Sequence, residues 1–421
     1  MCWDVVVAGA GAAGLLAAIR AAERGRRTLL LEKNRKPGAK ILMSGGTRCN
    51  ITHNTDARGI VEAYGHQGRF LHSALAAFSP ADVVALFEAE GVVTKVEESG
   101  KIFPASDHAA DVLAALLSRL ERSHCELRLS EPLVGLSRSE HGFRIVTSES
   151  DYNAGAVIVT TGGQSYPGCG TTGDAYRWMS ELGHTIIPPR PALTPITTNA
   201  TWVTSLKGVT IPDVALRVVV SDRAVNASEA KPKKKNKPLD ERRGSFLFTH
   251  FGLSGPVALD ISRTITGHPE PTTLDLECDF LPMQSVEQVE AAIMREVASD
   301  GKKQLIGVFS RVVPRRLAEA LFAKAGINPE LKAAEMSKAT RQQLVEALKR
   351  SRIPVSGTRG FKKAEVTAGG VKLSEVDSST MESKLVPNLY LAGEVLDLDG
   401  PIGGFNFQAA FSTAWLAGSH V

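Results

Sequence analysis

The chain has no CxxC pair and no grouping of His, Cys and carboxylate residues with metal-ligand spacing, so no zinc site is read and no metal is assigned. Its cysteines, Cys2, Cys49, Cys125, Cys169 and Cys278, are five in number and scattered. That is the usage expected of reduced thiols in a cytoplasmic protein, not of a disulfide-stapled secreted domain. No apolar run reaches roughly 18 residues, so no membrane span is expected. Strand-forming residues begin at Trp3, which by expectation leaves no room for a signal peptide. There is no internal repeat, and no low-complexity tract beyond the lysine run at 231–238. What remains is an ordinary globular composition, 43% hydrophobic and 22% charged over 421 residues. A chain of this length divides into two or three domains.

The formal charge of +4 conceals an asymmetry. Residues 302–363 carry fifteen Lys/Arg against four Glu, and residues 231–243 carry seven against two acids. Two readings stand side by side. These are solvated helix faces and a basic hairpin tip, or they are a surface for a polyanion, drawn by counterion release.

The strongest motif is Gly9-Ala10-Gly11-Ala12-Ala13-Gly14. It follows the apolar strand Val5-Val6-Val7-Ala8 and opens a helical run, and a second strand then ends at Glu32, eighteen positions past Gly14. Gly9 permits the tight turn, Gly11 lets a pyrophosphate approach the backbone, and Gly14 lets helix and strand pack closely. The helix start, with Ala12 and Ala13, holds phosphates. Glu32, with Lys33 beside it, is placed at the adenosine ribose. This reads as an ADP-binding motif.

Other glycine-rich stretches read as parts of the same cradle. In the polar loop 36–53, Lys40, Ser44, Gly45, Gly46, Arg48, Cys49 and Asn50 suit a backbone close to a charged, planar ligand, with Arg48 placed to neutralise pyrophosphate. Thr161-Gly162-Gly163 ends a buried strand. The second GxGxxG, Gly168 to Gly173, lies too far from that strand for a nicotinamide dinucleotide site and reads as a crossover, with Asp174 opening a helix. Val134, in the strand-like stretch 126–136, is a further cofactor-binding candidate. Gly393-Glu394 ends a strand on a carboxylate. Gly403-Gly404-Phe405-Asn406 starts a helix whose amides and dipole stabilise negative charge on a reduced flavin ring. An N-terminal ADP motif with a C-terminal strand–carboxylate–helix is more specific for FAD than for NAD.

Residues 79–91 and 109–123 have helical spacing, while 142–147 and 156–160 read as strands, so the first part is an α/β sheet. Pro188, Pro189, Pro191 and Pro195 mark a composition change. Short strands follow (215–221, 245–248, 273–276), then four basic helices (285–299, 304–311, 314–325, 337–350). A strand at 388–391 and a helix at 405–416 close the chain. The expected division is 1–190, 191–280, 281–355 and 356–421.

Five stretches together resemble the YhiN/BaiN family of flavoproteins, also labelled aminoacetone-oxidase-like. They are Ser44-Gly45-Gly46-Thr47-Arg48-Cys49-Asn50, Phe248-Thr249-His250-Phe251-Gly252-Leu253-Ser254-Gly255-Pro256, Val366-Thr367-Ala368-Gly369-Gly370-Val371, Thr380-Met381-Glu382-Ser383-Lys384, and Ala392-Gly393-Glu394 through Asn406. Thr47 stands where the family often has glycine, and Phe405 where it often has tyrosine. The resemblance implies a discontinuous Rossmann-like FAD-binding domain carrying an inserted β-rich domain and a small helical domain. It also implies oxidoreductase activity, with family substrates that include amines and conjugated double bonds, a ribosomal RNA uridine among them.

The preferred expectation is reduction of an activated C=C bond by hydride from flavin N5, with a uridine of ribosomal RNA as substrate. Cys49 and His250 are the candidate acids. The alternatives are a small-molecule amine or enone oxidoreductase, and an RNA-binding protein in which FAD is structural. NAD(P)H is a possible transient electron donor. Nothing in the sequence sets the oligomeric state.

Overall fold

The computed structural model describes residues 2–221, 237–299 and 301–421. Most of the expected lysine hairpin tip, 231–236, lies outside them. The chain divides into two compact units, one built from residues 1–191 and 365–421 and the other from 192–364.

The first unit is a Rossmann-type α/β layer structure. Strand Cys2–Ala8 pairs in parallel with Thr28–Leu31 on one side and Asp151–Val159 on the other. Glu126–Arg128 extends one edge in parallel, and Leu389–Leu391 pairs in parallel with the end of Asp151–Val159. Gly142–Thr147 and Leu133–Ser139 continue the sheet antiparallel. Val5, Val6 and Val7 are all buried, as the central strand of a parallel sheet covered on both faces requires. Helix Ala12–Glu23 is alanine- and leucine-rich, which suits its propensity, and it buries Leu15, Leu16 and Ile19. It crosses the last helix, Phe405–His420, at close range. A Cβ on Gly418 would lie 2.6 Å from the Ala17 carbonyl oxygen.

Two local results differ from the sequence reading. Residues 39–47, expected as loop, form a helix broken at Ser44 (ψ 151°), Gly45 (φ 56°) and Gly46 (φ 69°). Pro188, Pro189 and Pro191 lie within a strand, Ile186–Ala192, which among the described residues pairs with Val366–Val371 in a two-stranded sheet. A two-stranded edge tolerates residues that lack an amide donor.

The second unit holds a seven-stranded antiparallel sheet ordered Ser351–Pro354, Leu274–Asp279, Thr210–Val220, Asp240–Thr249, Gly252–Ser254, Ile196–Thr197, Gly357–Thr358. Helix Pro256–Gly267, not foreseen in a stretch read as strands, packs on it. Helices Val286–Ser299, Leu305–Phe309, Arg315–Ala325 and Lys338–Lys349 share the same core through Ile293, Phe309, Leu317 and Leu348. The segments 191–280 and 281–355 therefore form one packed body, and residues 356–364 belong to it because Gly357–Thr358 closes its sheet. Among the described residues no single helix is long and apolar enough to cross a membrane.

Candidate functional site

The first glycine motif forms the turn between the central strand and helix Ala12–Glu23. Gly9 has φ +100°, and a Cβ there would meet the Thr160 carbonyl oxygen at 3.0 Å. A Cβ on Gly14 would lie 1.7 Å from the Gly9 carbonyl oxygen, while one on Gly11 would meet nothing within 4 Å. So Gly9 and Gly14 are needed for the fold, and Gly11 leaves its surroundings open. No side chain caps the helix that follows, so its first amides, at Ala12 and Ala13, keep their capacity for an anion.

Glu32 follows strand Thr28–Leu31 and is buried. Its carboxylate accepts from the amides of Ala10 (2.8 Å) and Asn34 (2.9 Å), one on each oxygen. Each oxygen retains a lone pair for a further donor. Lys33 donates to Thr172 (2.7 Å) and pairs with Asp174 (2.5 Å), which opens helix Asp174–Glu181 as expected. A cleft beside this pair is lined by Val134, Asp174, Arg177 and Trp178. Val134 sits at a register shift between Leu133 and Gly135, where the antiparallel ladder is interrupted. The Trp178 indole nitrogen is buried with no partner among the described residues. Arg177 and Trp178 gave no sequence signal, because helix residues reveal a cleft only once a facing strand is placed.

A second polar cluster joins four distant segments. Lys40 pairs with Glu394 and donates to Ser165 Oγ (2.7 Å). Ser165 Oγ donates to Glu394 Oε1 (2.6 Å), which also accepts from the Thr367 amide (2.9 Å). Thr367 Oγ1 in turn accepts from the amides of Gln164 (2.8 Å) and Ser165 (3.0 Å). Ser165 and Thr367 were missed as site residues. Both lie inside glycine-rich motifs noted in the sequence, and that proximity was the available signal. Nearby on the chain, Gly162 has φ +75°, Gly163 abuts Thr367, and the buried Thr161 hydroxyl has no partner among the described residues.

Ser44 donates to the Ile41 carbonyl (2.8 Å) at the break in helix 39–47. Asn50, in the amide orientation that satisfies both its ends, accepts from the Gly404 amide at 2.9 Å and donates to the Thr52 carbonyl at 2.9 Å. That bond ties the loop to the start of the last helix. Gly404 (φ +92°) could not carry a Cβ, which would fall 2.4 Å from the Thr52 oxygen. Helix Phe405–His420 has no side-chain cap either. Phe405 stacks on His53 at 4.5 Å, and the Asn406 side chain is spent on the backbone of Gly400 and Pro401. Gly393 (φ +76°) brings its loop against Ala13, where a Cβ would stand 2.9 Å from the Ala13 Cβ. The ADP-type turn and the C-terminal carboxylate motif are thus physical neighbours.

Three predicted residues are placed less simply. Arg48 pairs with Glu97 (2.7 Å) and Asp107 (3.3 Å) and lies 4.0 Å over the Phe103 ring, so its charge is already balanced. Cys49 is fully buried in the first unit's core, and burial pushes its thiol up to about 12. A buried thiol held that high fits core packing better than proton transfer near neutral pH. His250 lies in the second unit, exposed, with its ring edge-on to Phe251.

Two uncapped helix starts, a glycine turn open at Gly11, the buried Glu32 carboxylate and the unpartnered buried donors of Thr161 and Trp178 have the chemistry to hold a long ligand with a charged middle. The HI0933-like protein Rossmann domain family matches residues 3–420. A ribosomal RNA dihydrouridine synthase of Escherichia coli (strain K12) is 32% identical over 417 residues, 98% of this chain and 96% of the relative. A 3-dehydro-bile acid delta(4,6)-reductase of Clostridium scindens is 31% identical over 415 residues, 98% and 97% of the two chains. Among solved structures, the Mycobacterium smegmatis Sdh1 complex in the apo form aligns with a TM-score of 0.50 at 16% identity, covering 99% of this chain and 67% of that one, a likeness of fold. The chain belongs to the HI0933-like family and is an FAD-dependent oxidoreductase with a Rossmann-type core.

Proposed function

We propose that this enzyme reduces the C5=C6 bond of a uridine in ribosomal RNA, and that the glycine turn, Glu32, the Glu394 cluster and the start of helix Phe405–His420 hold its FAD. The observation that carries the substrate reading is the end-to-end match, at 32% identity, to relatives named ribosomal RNA dihydrouridine synthase in Escherichia coli and Haemophilus influenzae. Within the basic segment 302–363, Arg359, Lys362 and Lys363, exposed and with no carboxylate partner among the described residues, support it, since a phosphate backbone is drawn to clustered Lys/Arg.

The residues fit the cofactor. Gly11 and the amides of Ala12 and Ala13 take the pyrophosphate, Glu32 the adenosine ribose, and the cleft at Val134 and Trp178 the adenine. Glu394, oriented by Ser165, Thr367 and Lys40, meets the ribityl hydroxyls. The amides at Gly403 and Phe405, with that of Gly404 taken by Asn50, would hold the flavin's carbonyl edge, where the helix dipole favours negative charge. Bound and reduced, FAD supplies hydride to the β-carbon of an α,β-unsaturated carbonyl, C6 in uracil. The chain's part is to hold the base splayed from its stack and to deliver a proton to C5. Of the two candidate acids, Cys49 is buried in the first unit's core and His250 is exposed on the second. We further infer that NAD(P)H docks transiently to supply electrons, and that the enzyme works in the cytoplasm beside its RNA.

The test is to incubate the reduced enzyme with unmodified ribosomal RNA and count dihydrouridine by mass spectrometry. Absence of product across several RNA folding states sinks the substrate reading. The Clostridium scindens relative favours a second reading, a small-molecule enone, which predicts turnover of a conjugated steroid ketone and none of RNA. Anaerobic bleaching of the flavin by NADH or NADPH identifies the donor.

A further inference from the structure

His250 and Phe251 are the two residues of the hairpin turn joining strands Asp240–Thr249 and Gly252–Ser254, which pair at Thr249 and Gly252. The turn is held firmly. The Thr198 amide donates to the Phe251 carbonyl (3.0 Å), and Thr249 Oγ1 donates to the Gly252 carbonyl (3.0 Å). Gly252, at φ +146°, fits where a Cβ would come within 2.3 Å of the Ile196 oxygen. Strand Ile196–Thr197 pairs on its other edge with Gly357–Thr358, and this delivers Arg359, whose amide donates to the Pro195 carbonyl (2.9 Å).

The side chains on this scaffold form a cluster. The Arg359 guanidinium carbon lies 4.8 Å from the Phe251 ring centroid, and the His250 ring meets Phe251 edge-on at 4.9 Å and 80°. Arg359 and His250 are exposed. Among the described residues no carboxylate pairs with Arg359, Lys362 or Lys363, and the stretch 357–363 contains no acid. Elsewhere in the same unit Arg311, Arg315, Arg341 and Arg350 are each paired with a glutamate. Their charge is satisfied within the fold, whereas that of Arg359 is left available.

We propose that Phe251, Arg359 and His250 form a stacking platform for single-stranded RNA on the second unit, with Lys362 and Lys363 meeting its phosphates. A guanidinium laid on an aromatic ring presents its outer face to a base and its N–H edge to a phosphate, at little cost in side-chain ordering. Stacking needs a base with a free face, which a single strand offers and a duplex does not. The assignment rests on the ribosomal RNA reading above.

The test is fluorescence anisotropy of a labelled oligouridylate with the FAD-loaded full chain. Phe251→Leu keeps an apolar side chain in the turn yet is expected to weaken binding roughly 5- to 100-fold, the worth of one stacked base. Arg359→Gln is expected to weaken it about tenfold and lower the slope of log affinity against log salt by about 0.7. Arg359→Lys keeps the charge, so the salt slope stays while the stacking share of affinity goes. Arg311→Gln, a paired cation elsewhere on the unit, is expected to bind like wild type. Circular dichroism and a thermal melt of each variant, compared with wild type, report that the second unit is folded. Wild-type binding with unaffected Phe251 and Arg359 variants overturns the platform and leaves the RNA reading intact. So does an Arg311→Gln loss equal to that of Arg359→Gln, or competition by polyglutamate at equal charge, since either makes the contact mere charge. A wild-type chain that does not bind the oligouridylate overturns platform and substrate reading together.

Discussion

At the scale of single residues, a Cβ on Gly14 would strike the Gly9 carbonyl oxygen at 1.7 Å, whereas one on Gly11 meets nothing within 4 Å. Gly14→Ala is therefore expected to cost about 3 kcal/mol of stability. Gly11→Val should fold within about 1 kcal/mol of wild type and yet lose flavin, because its side chain fills the place of the pyrophosphate. Thermal melts beside flavin absorbance separate the two effects. His184 makes a second case. Ser383 Oγ accepts from the amides of Leu385 (3.0 Å) and Val386 (2.9 Å), so its proton goes to His184 Nε2 at 2.9 Å. The neutral ring's own proton is then on Nδ1, facing Glu375 at 3.4 Å. Burial holds the His184 pKa below its ordinary 6.5, against the opposing pull of Glu375. The unfolded chain therefore binds the proton first. Stability is full above pH 6.5 and falls as the pH drops from there toward the lowered folded value. Melts from pH 8 to 5 should show this loss, and His184→Gln should remove that share of the slope. A pH-independent melting temperature across the window would contradict it. None of this was legible beforehand, since burial sets the shift against Glu375, a residue remote in the sequence.

Among the elements, the helices that begin at Ala12 and Phe405 were readable from their glycine starts and apolar faces, but their contact was not. Gly418 lets them approach until its missing Cβ would lie 2.6 Å from the Ala17 oxygen and 2.9 Å from the Arg20 Cβ. Gly418→Ala should cost about 1–3 kcal/mol through overpacking, despite the better helix propensity of alanine. A denaturant midpoint that rises instead would show that the crossing relaxes freely. The broken helix 39–47 read as loop because Ser44, Gly45 and Gly46 erased the helical period, although the turns around the break do form. The proline strand Ile186–Ala192 was hidden for the opposite reason, since prolines signal turns unless an edge position excuses the missing amide.

For the whole molecule, the two hydrophobic cores share no residue, and the chain leaves and re-enters the first unit on strands Ile186–Ala192 and Val366–Val371, which pair with each other. Replacing 192–364 by a short flexible linker is therefore expected to leave a folded, yellow first unit with no RNA turnover; a colourless, aggregated product would refute the independence of the cores. The cofactor class was decided by local sequence, because a tight turn, an open backbone and a buried strand-end carboxylate each need a particular residue at a particular spacing. The α/β class followed from the same local periodicity. Tertiary structure alone decided that Ser165 and Thr367 orient Glu394, that Arg48 is spent on Glu97 and Asp107, that Cys49 is sealed in the core, and that β-rich and helical segments fuse into one body. Those outcomes depend on which distant segments are pressed together and how far water is excluded, and neither quantity is written in any short stretch of chain.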